Sequence, residues 1–148
     1  LKANAGTQVY GKSSQIVEAV AKGQVALGVV NHYYIYRQLA TQPDAPIAPL
    51  ITDQQAGGMG AILNVAGIGV TAHARHLEPA KRLVSFLASE AGQKQFAELN
   101  KEYPLRPDVA ADPVLPERKK LRTAAMPLAK LSELREPAMT LIEQAGLR

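Results

Sequence analysis

Val25-Ala26-Leu27-Gly28-Val29-Val30-Asn31-His32-Tyr33-Tyr34 reads as a short apolar strand running into the first turn of a helix. Residues 25–30 have strand length and no charge, and Asn31 suits a helix cap. Two adjacent phenols, followed by Ile35, Tyr36 and Arg37, therefore stand where strand gives way to helix. Open α/β folds place their ligands at such strand ends. A repeated phenol beside a polar amide suggests that something uses its oxygen.

Working outward, Gly11 and then Ser13 or Ser14 supply a turn and a helix N-cap, and Ile16, Val17, Val20 and Ala21 form one helical stripe. Gly23 closes that helix. The helix opened by Asn31 runs to about Ala40, with Ile35 and Leu39 inward. Pro43, Pro46 and Pro49 break the chain, and Gly57, Gly58 and Gly60 make a turn. Residues 61–63 and 65–70 read as strands, the second loosened by Gly67 and Gly69. A strong helix follows, with Pro79 in its first turn and Ala80, Leu83, Val84, Leu87 and Ala88 on its buried face. Gly92 separates it from a second helix bearing Phe96 and Leu99. Four prolines between Tyr103 and Pro116 rule out a regular element there. The end is helical again, broken near Pro137 and closed by Gly146. Alternating strands and helices predict an α/β fold.

The 148 residues suffice for one domain with a real core, and 47% apolar against 20% charged residues is a globular balance. No apolar run approaches the length of a bilayer span. No secretory signal is read at Leu1, where the chain starts without Met. The absence of cysteine excludes disulfides, thiolate metal sites and thiol catalysis. The net charge of +4 is scattered, and the densest basic cluster, Arg118-Lys119-Lys120, has no interleaved aromatics. It reads as a solvated helix face, and no nucleic-acid partner is expected. There is no Ser/His/Asp arrangement, no HExxH, no phosphate loop and no carboxylate pair suited to catalysis, so the chain is not expected to be an enzyme.

The chemistry offered by Tyr33 and Tyr34 is that of hard anionic oxygen. Ferric iron is small and triply charged, and hard cations favour oxygen donors. A free phenol has a pKa of about 10, and a multivalent cation favours its ionised form. Neighbours in a regular helix point about 100° apart, but in the first turn two long phenols can converge, and the positive helix end favours their charge. Unpaired N–H groups near Ser13 and Asn31 can hold an anion that fills open metal positions. Two phenolates and one anion then balance the charge of a trivalent ion. By residue type alone, the commoner outcome for such a pair is packed rings with hydroxyls in water, and for Asn31 and Ser13 plain helix caps. His32 is read as directed away from at least one phenol. His73 and His76 are expected on the surface, Tyr10 as a possible neighbour of the cleft, and Tyr103 as a packed loop anchor.

Residues 25–34 resemble the iron-binding segment of periplasmic ferric-ion-binding proteins, the substrate-binding components of bacterial ABC iron transporters. Residues 10–23, 64–70, 80–87, 90–93 and 102–105 resemble further segments of that family, in order. The resemblance implies a type II periplasmic-binding-protein fold of two α/β lobes around a cleft. Residues 1–63 and 115–148 then belong to lobe two, and residues 64–114 cross to lobe one. It implies Tyr33 and Tyr34 as iron ligands, Asn31 as the amide holding a synergistic anion (phosphate, carbonate or carboxylate), and Ser13 near a further anion contact, where many relatives carry Asn. It covers only the C-terminal half of family members, and the other half carries further metal ligands and much of lobe one. The expected partners are that N-terminal half and an inner-membrane permease, and the expected compartment is the periplasm. The alternatives are a receptor for an organic anion and a ligand-sensing regulatory domain.

Overall fold

The computed structural model describes residues 2–4 and 8–147. Helix α1, Ser13–Ala21, opens where the extended Lys12 donates its N–H to Gln15 Oε1 at 3.1 Å. Lys12 therefore holds the cap position expected of a serine, and Ser13 is the first helical residue. Of the expected α1 stripe Val17 is buried and Ile16, Val20 and Ala21 are half-buried, while Ala19, outside that stripe, is buried as well. Helix α2, His32–Thr41, follows an extended Asn31 and buries Tyr36. These two helices pack against each other.

Helices α3, Leu77–Leu87, and α4, Glu90–Asn100, form a second pair. The break falls at Ser89 rather than at Gly92: the Ser89 Oγ accepts the Gly92 N–H at 3.3 Å, a side-chain N-cap. Gln93 is buried, donates to the Leu87 carbonyl at 2.9 Å and accepts the Leu105 N–H at 2.7 Å, which fixes the return loop on α4. The last pair, α5, Leu128–Glu133, and α6, Arg135–Gln144, breaks just before Pro137, which a first turn accommodates. Arg118–Lys120 is a single exposed 3-10 turn.

The expected sheet does not form among the described residues. Residues 25–30, with a bend at Ala26, and residues 65–70 form no regular element, and one isolated parallel bridge joins Ala61 to Thr123. A strand is completed by neighbours whose backbone groups accept and donate along its length, and among the described residues no segment pairs with these two. Leu27 and Val29 stand 79% and 90% exposed in consequence. The chain shows 11453 Å² of surface, against about 7,300 Å² for a compact monomer of its mass by size scaling. The predicted buried face of α3 shows the same lack of cover: Ala80, Val84 and Leu87 are half-buried, and Leu83 is exposed.

Two close approaches organise what does pack. Residues 25–30 cross α1 at Gly28, where an added Cβ would lie 2.4 Å from Ile16 Cγ2. Gly60, at φ +89°, passes within 2.8 Å of the Arg122 backbone at its Cβ position, a conformation that favours glycine. Beside it the Ala61 N–H donates to the Arg122 carbonyl and the Ala124 N–H to the Ala61 carbonyl, both at 3.0 Å. The Gln54 amide clamps Arg122, donating to its carbonyl at 3.0 Å and accepting its N–H at 2.9 Å. Gln54, Gly60 and Ala61 thereby join the middle of the chain to its C-terminal segment.

Candidate metal centre at the start of α2

Tyr33 and Tyr34 are the second and third residues of α2, both half-buried. Their ring centroids lie 4.6 Å apart with planes 41° from parallel, so the first helical turn brings the adjacent phenols together. The Asn31 side chain does not cap the helix; its Nδ2 donates to the Tyr33 hydroxyl at 3.1 Å. The Asn31 carbonyl accepts the Tyr34 N–H at 3.2 Å and closes the turn. The structure thus gathers Asn31, Tyr33 and Tyr34 into one polar corner. Among the described residues no hydrogen bond links Ser13 to them.

The Tyr33 phenol is held above its ordinary pKa of 10.0. Removal from water is the largest cause and the neighbouring Tyr34 hydroxyl the next; the Asn31 amide opposes them by favouring the phenolate, and the charges of Tyr34 and Glu102 add to the rise. The Tyr36 phenol is raised by burial, and that of Tyr103 by burial and then by Tyr36. Only a strong local positive charge would ionise Tyr33 at neutral pH.

His32 Nε2 lies 2.8 Å from the Lys101 carbonyl oxygen. Tyr103 is a packed anchor whose hydroxyl donates to the Pro116 carbonyl at 2.8 Å. Tyr10 donates its hydroxyl to Gln8 Oε1 at 2.5 Å. His73 and His76 are exposed. Among the described residues no trio of His, Asp or Glu gathers into a metal site, and the phenol oxygens are hard donors at this corner. A concavity of about 340 Å³ lies between the other ends of α1 and α2, lined by Glu18, Lys22, Gln38 and Gln42. The phenol pair lines neither it nor the apolar groove beside α5.

Sequence reading missed the part played by the chain around Lys101. Glu102, whose charge reaches Tyr33, is held by the Asn100 side-chain amide. No spacing rule connects position 32 with position 101, so no local signal marked this contact.

Residues 1–123 match the family described as bacterial extracellular solute-binding protein. The chain belongs to that family. Among curated proteins it is 29% identical over 139 residues to the major ferric iron-binding protein of Neisseria meningitidis, covering 94% of this chain and 42% of that protein. It is 30% identical over 152 residues to iron uptake protein A2 of Synechocystis, covering 99% of this chain and 44% of that protein. It is 27% identical over 139 residues to the Fe(3+)-binding periplasmic protein of Serratia marcescens, covering 93% and 40%. The chain spans less than half the length of these solute-binding relatives. Membership of the extracellular solute-binding family suggests a type II periplasmic-binding fold, of which the described residues form helices and loops but no strand. No helix among the described residues is long and apolar enough to cross a membrane.

Proposed function

We propose that this chain carries one wall of a ferric-iron receptor, with Tyr33 and Tyr34 as tyrosinate ligands and Asn31 and Ser13 contacting a synergistic phosphate, carbonate or carboxylate. The observation that carries the reading is the pairing of the two rings at 4.6 Å in the first turn of α2. The names of the relatives, which bind or take up iron, support the choice of cation. The work is ligand exchange, not catalysis. The resident helix end favours the phenolate charge, and the cation supplies the positive field that lowers the phenol pKa.

The half-length match and the bare apolar residues Leu27 and Val29 support a second element of the proposal. Further polypeptide, corresponding to the rest of the relatives' length, pairs with residues 25–30 and provides the opposite wall of a two-lobed cleft with the remaining ligands. Residues 1–63 and 115–148 form lobe two, and the Gln54–Arg122 clamp supports that grouping. Residues 64–114 cross to lobe one. The loaded receptor works in the periplasm and delivers iron to the permease of an ABC transporter.

The test is competition for iron. The chain is titrated with ferric citrate against a chelator, with phosphate present or absent. Visible colour and saturable binding that vanish in the Tyr33→Phe, Tyr34→Phe double variant support the reading. Binding that the double variant retains overturns the ligand assignment. The raised pKa of Tyr33 favours one rival, a receptor in which neutral phenols donate to an organic anion. Calorimetric binding of small carboxylates that is indifferent to iron would select that rival.

A further inference from the structure

His32 ties the start of α2 to the end of α4. Its Nε2 lies 2.8 Å from the carbonyl oxygen of Lys101, 69 residues along the chain. A carbonyl only accepts, so Nε2 carries the proton and donates. The same ring meets Tyr33 edge-on at 5.8 Å and Tyr36 edge-on at 6.2 Å, and lies 5.7 Å from the tilted Tyr103 ring. Tyr36 is buried, and Tyr103 is anchored on Pro116. His32 is therefore the ring through which Tyr33 is braced against both α2 and residues 101–116.

The other side of the contact is built to present its carbonyl. Lys101 caps α4 in the left-handed region, at φ 57° and ψ 38°, which an L side chain adopts at some cost. Its Nζ donates to the Glu98 carbonyl at 2.7 Å and pairs with the Asp112 carboxylate at 2.5 Å, both Lys101 and Asp112 side chains being mostly buried. These bonds hold the turn that directs the Lys101 oxygen to His32.

We propose that His32 is a positioning residue for the tyrosine pair. Its hydrogen bond to Lys101 sets the direction in which the first turn of α2 presents Tyr33 and Tyr34, and couples a cation bound there to residues 101–103. The role assigned to it is to orient the phenols through this bond. The inference rests on the ferric reading of the same corner.

The test uses the 148-residue chain and ferric nitrilotriacetate as probe, with circular dichroism as a check on folding. Loss of one positioning hydrogen bond in His32→Ala is expected to weaken binding about tenfold and to move the phenolate-to-iron absorption band. His32→Gln, whose amide nitrogen reaches the position of Nε2, is expected to restore affinity to within about threefold, on the same scale of bond energy. The shorter His32→Asn is expected to behave as alanine does. With gallium(III) as a diamagnetic probe, the amide resonances of Lys101 and Glu102 shift on binding in the parent and not in His32→Ala. Where alanine disrupts the fold, the glutamine and asparagine variants decide: equal behaviour of the two overturns the proposal. Parent-like affinity and band in His32→Ala overturn it while leaving the ferric reading intact, provided the double phenylalanine variant loses the band. A parent chain with no band removes the ferric reading and this inference together.

Discussion

The Asn31 side-chain amide donates to the Tyr33 hydroxyl at 3.1 Å, two residues ahead and across the end of the helix that Asn31 itself begins. An Asn at this position ordinarily accepts a backbone N–H. Here it spends its donor on the phenol, and so favours the ionised form of the oxygen proposed to hold the cation. Asn31→Ala is accordingly expected to raise the Tyr33 pKa further. Difference absorbance titration of tyrosinate, read against Tyr33→Phe, measures the shift; an unchanged titration contradicts the assignment.

Ferric binding should strengthen with pH. The Tyr33 pKa lies above the ordinary value, so at neutral pH the phenol is protonated and must release its proton to bind. With two phenols ionising, the apparent affinity rises by about a hundredfold per pH unit below both pKa values, since each proton released contributes about tenfold. Competition against a chelator of known pH dependence gives the slope, and Tyr33→Phe should reduce it by one proton. A flat profile would mean that the phenols stay protonated when loaded.

Acid should loosen residues 101–116 first. The Lys101 ammonium, and then the Val114 N–H, hold the Asp112 carboxyl below its ordinary range. A depressed folded pKa contributes stability that is present above the unfolded value of about 3.9 and is lost as pH falls through the folded one. Hydrogen exchange at Val114 and Leu115, compared between pH 6 and pH 3, should accelerate more than exchange in α1. In Asp112→Asn that extra acceleration should disappear.

Tyr36 should matter to stability through its ring and not its hydroxyl. It is 7% exposed, and its hydroxyl makes no hydrogen bond among the described residues. Tyr36→Ala is expected to destabilise the α1–α2 unit by about 3 kcal/mol, as for other large aromatic truncations. Tyr36→Phe should stay within about 0.5 kcal/mol, the range of a substitution that removes no partner. Urea titration followed by circular dichroism compares the two.

What was legible in the sequence was local. The start of α2 could be read at Asn31, which holds the cap position, although its side chain turns to the Tyr33 hydroxyl and does not cap the helix. The anchoring role of Tyr103, boxed in by prolines, could be read for the same reason. The cap of α1 was misplaced by one residue, because Ser13 and Ser14 carry the stronger capping chemistry while Lys12 takes the position through its backbone and Gln15. The strands expected at residues 25–30 and 65–70 have the right composition, but composition supplies no neighbour, and pairing is a property of two segments. Leu83 stands exposed on a well-formed α3 for the same reason: periodicity marks a face to be covered but supplies no covering layer. The bond from His32 to Lys101 was illegible because it joins positions whose proximity only the tertiary fold creates.

The visible and resonance Raman spectra of the chain loaded with ferric iron test the central claim most directly. Ionised Tyr33 and Tyr34 on the metal predict a charge-transfer band with phenolate ring vibrations in resonance, diminished in each single phenylalanine variant and abolished in the double one. A band that survives in the double variant, or iron held without any phenolate vibration, would contradict it.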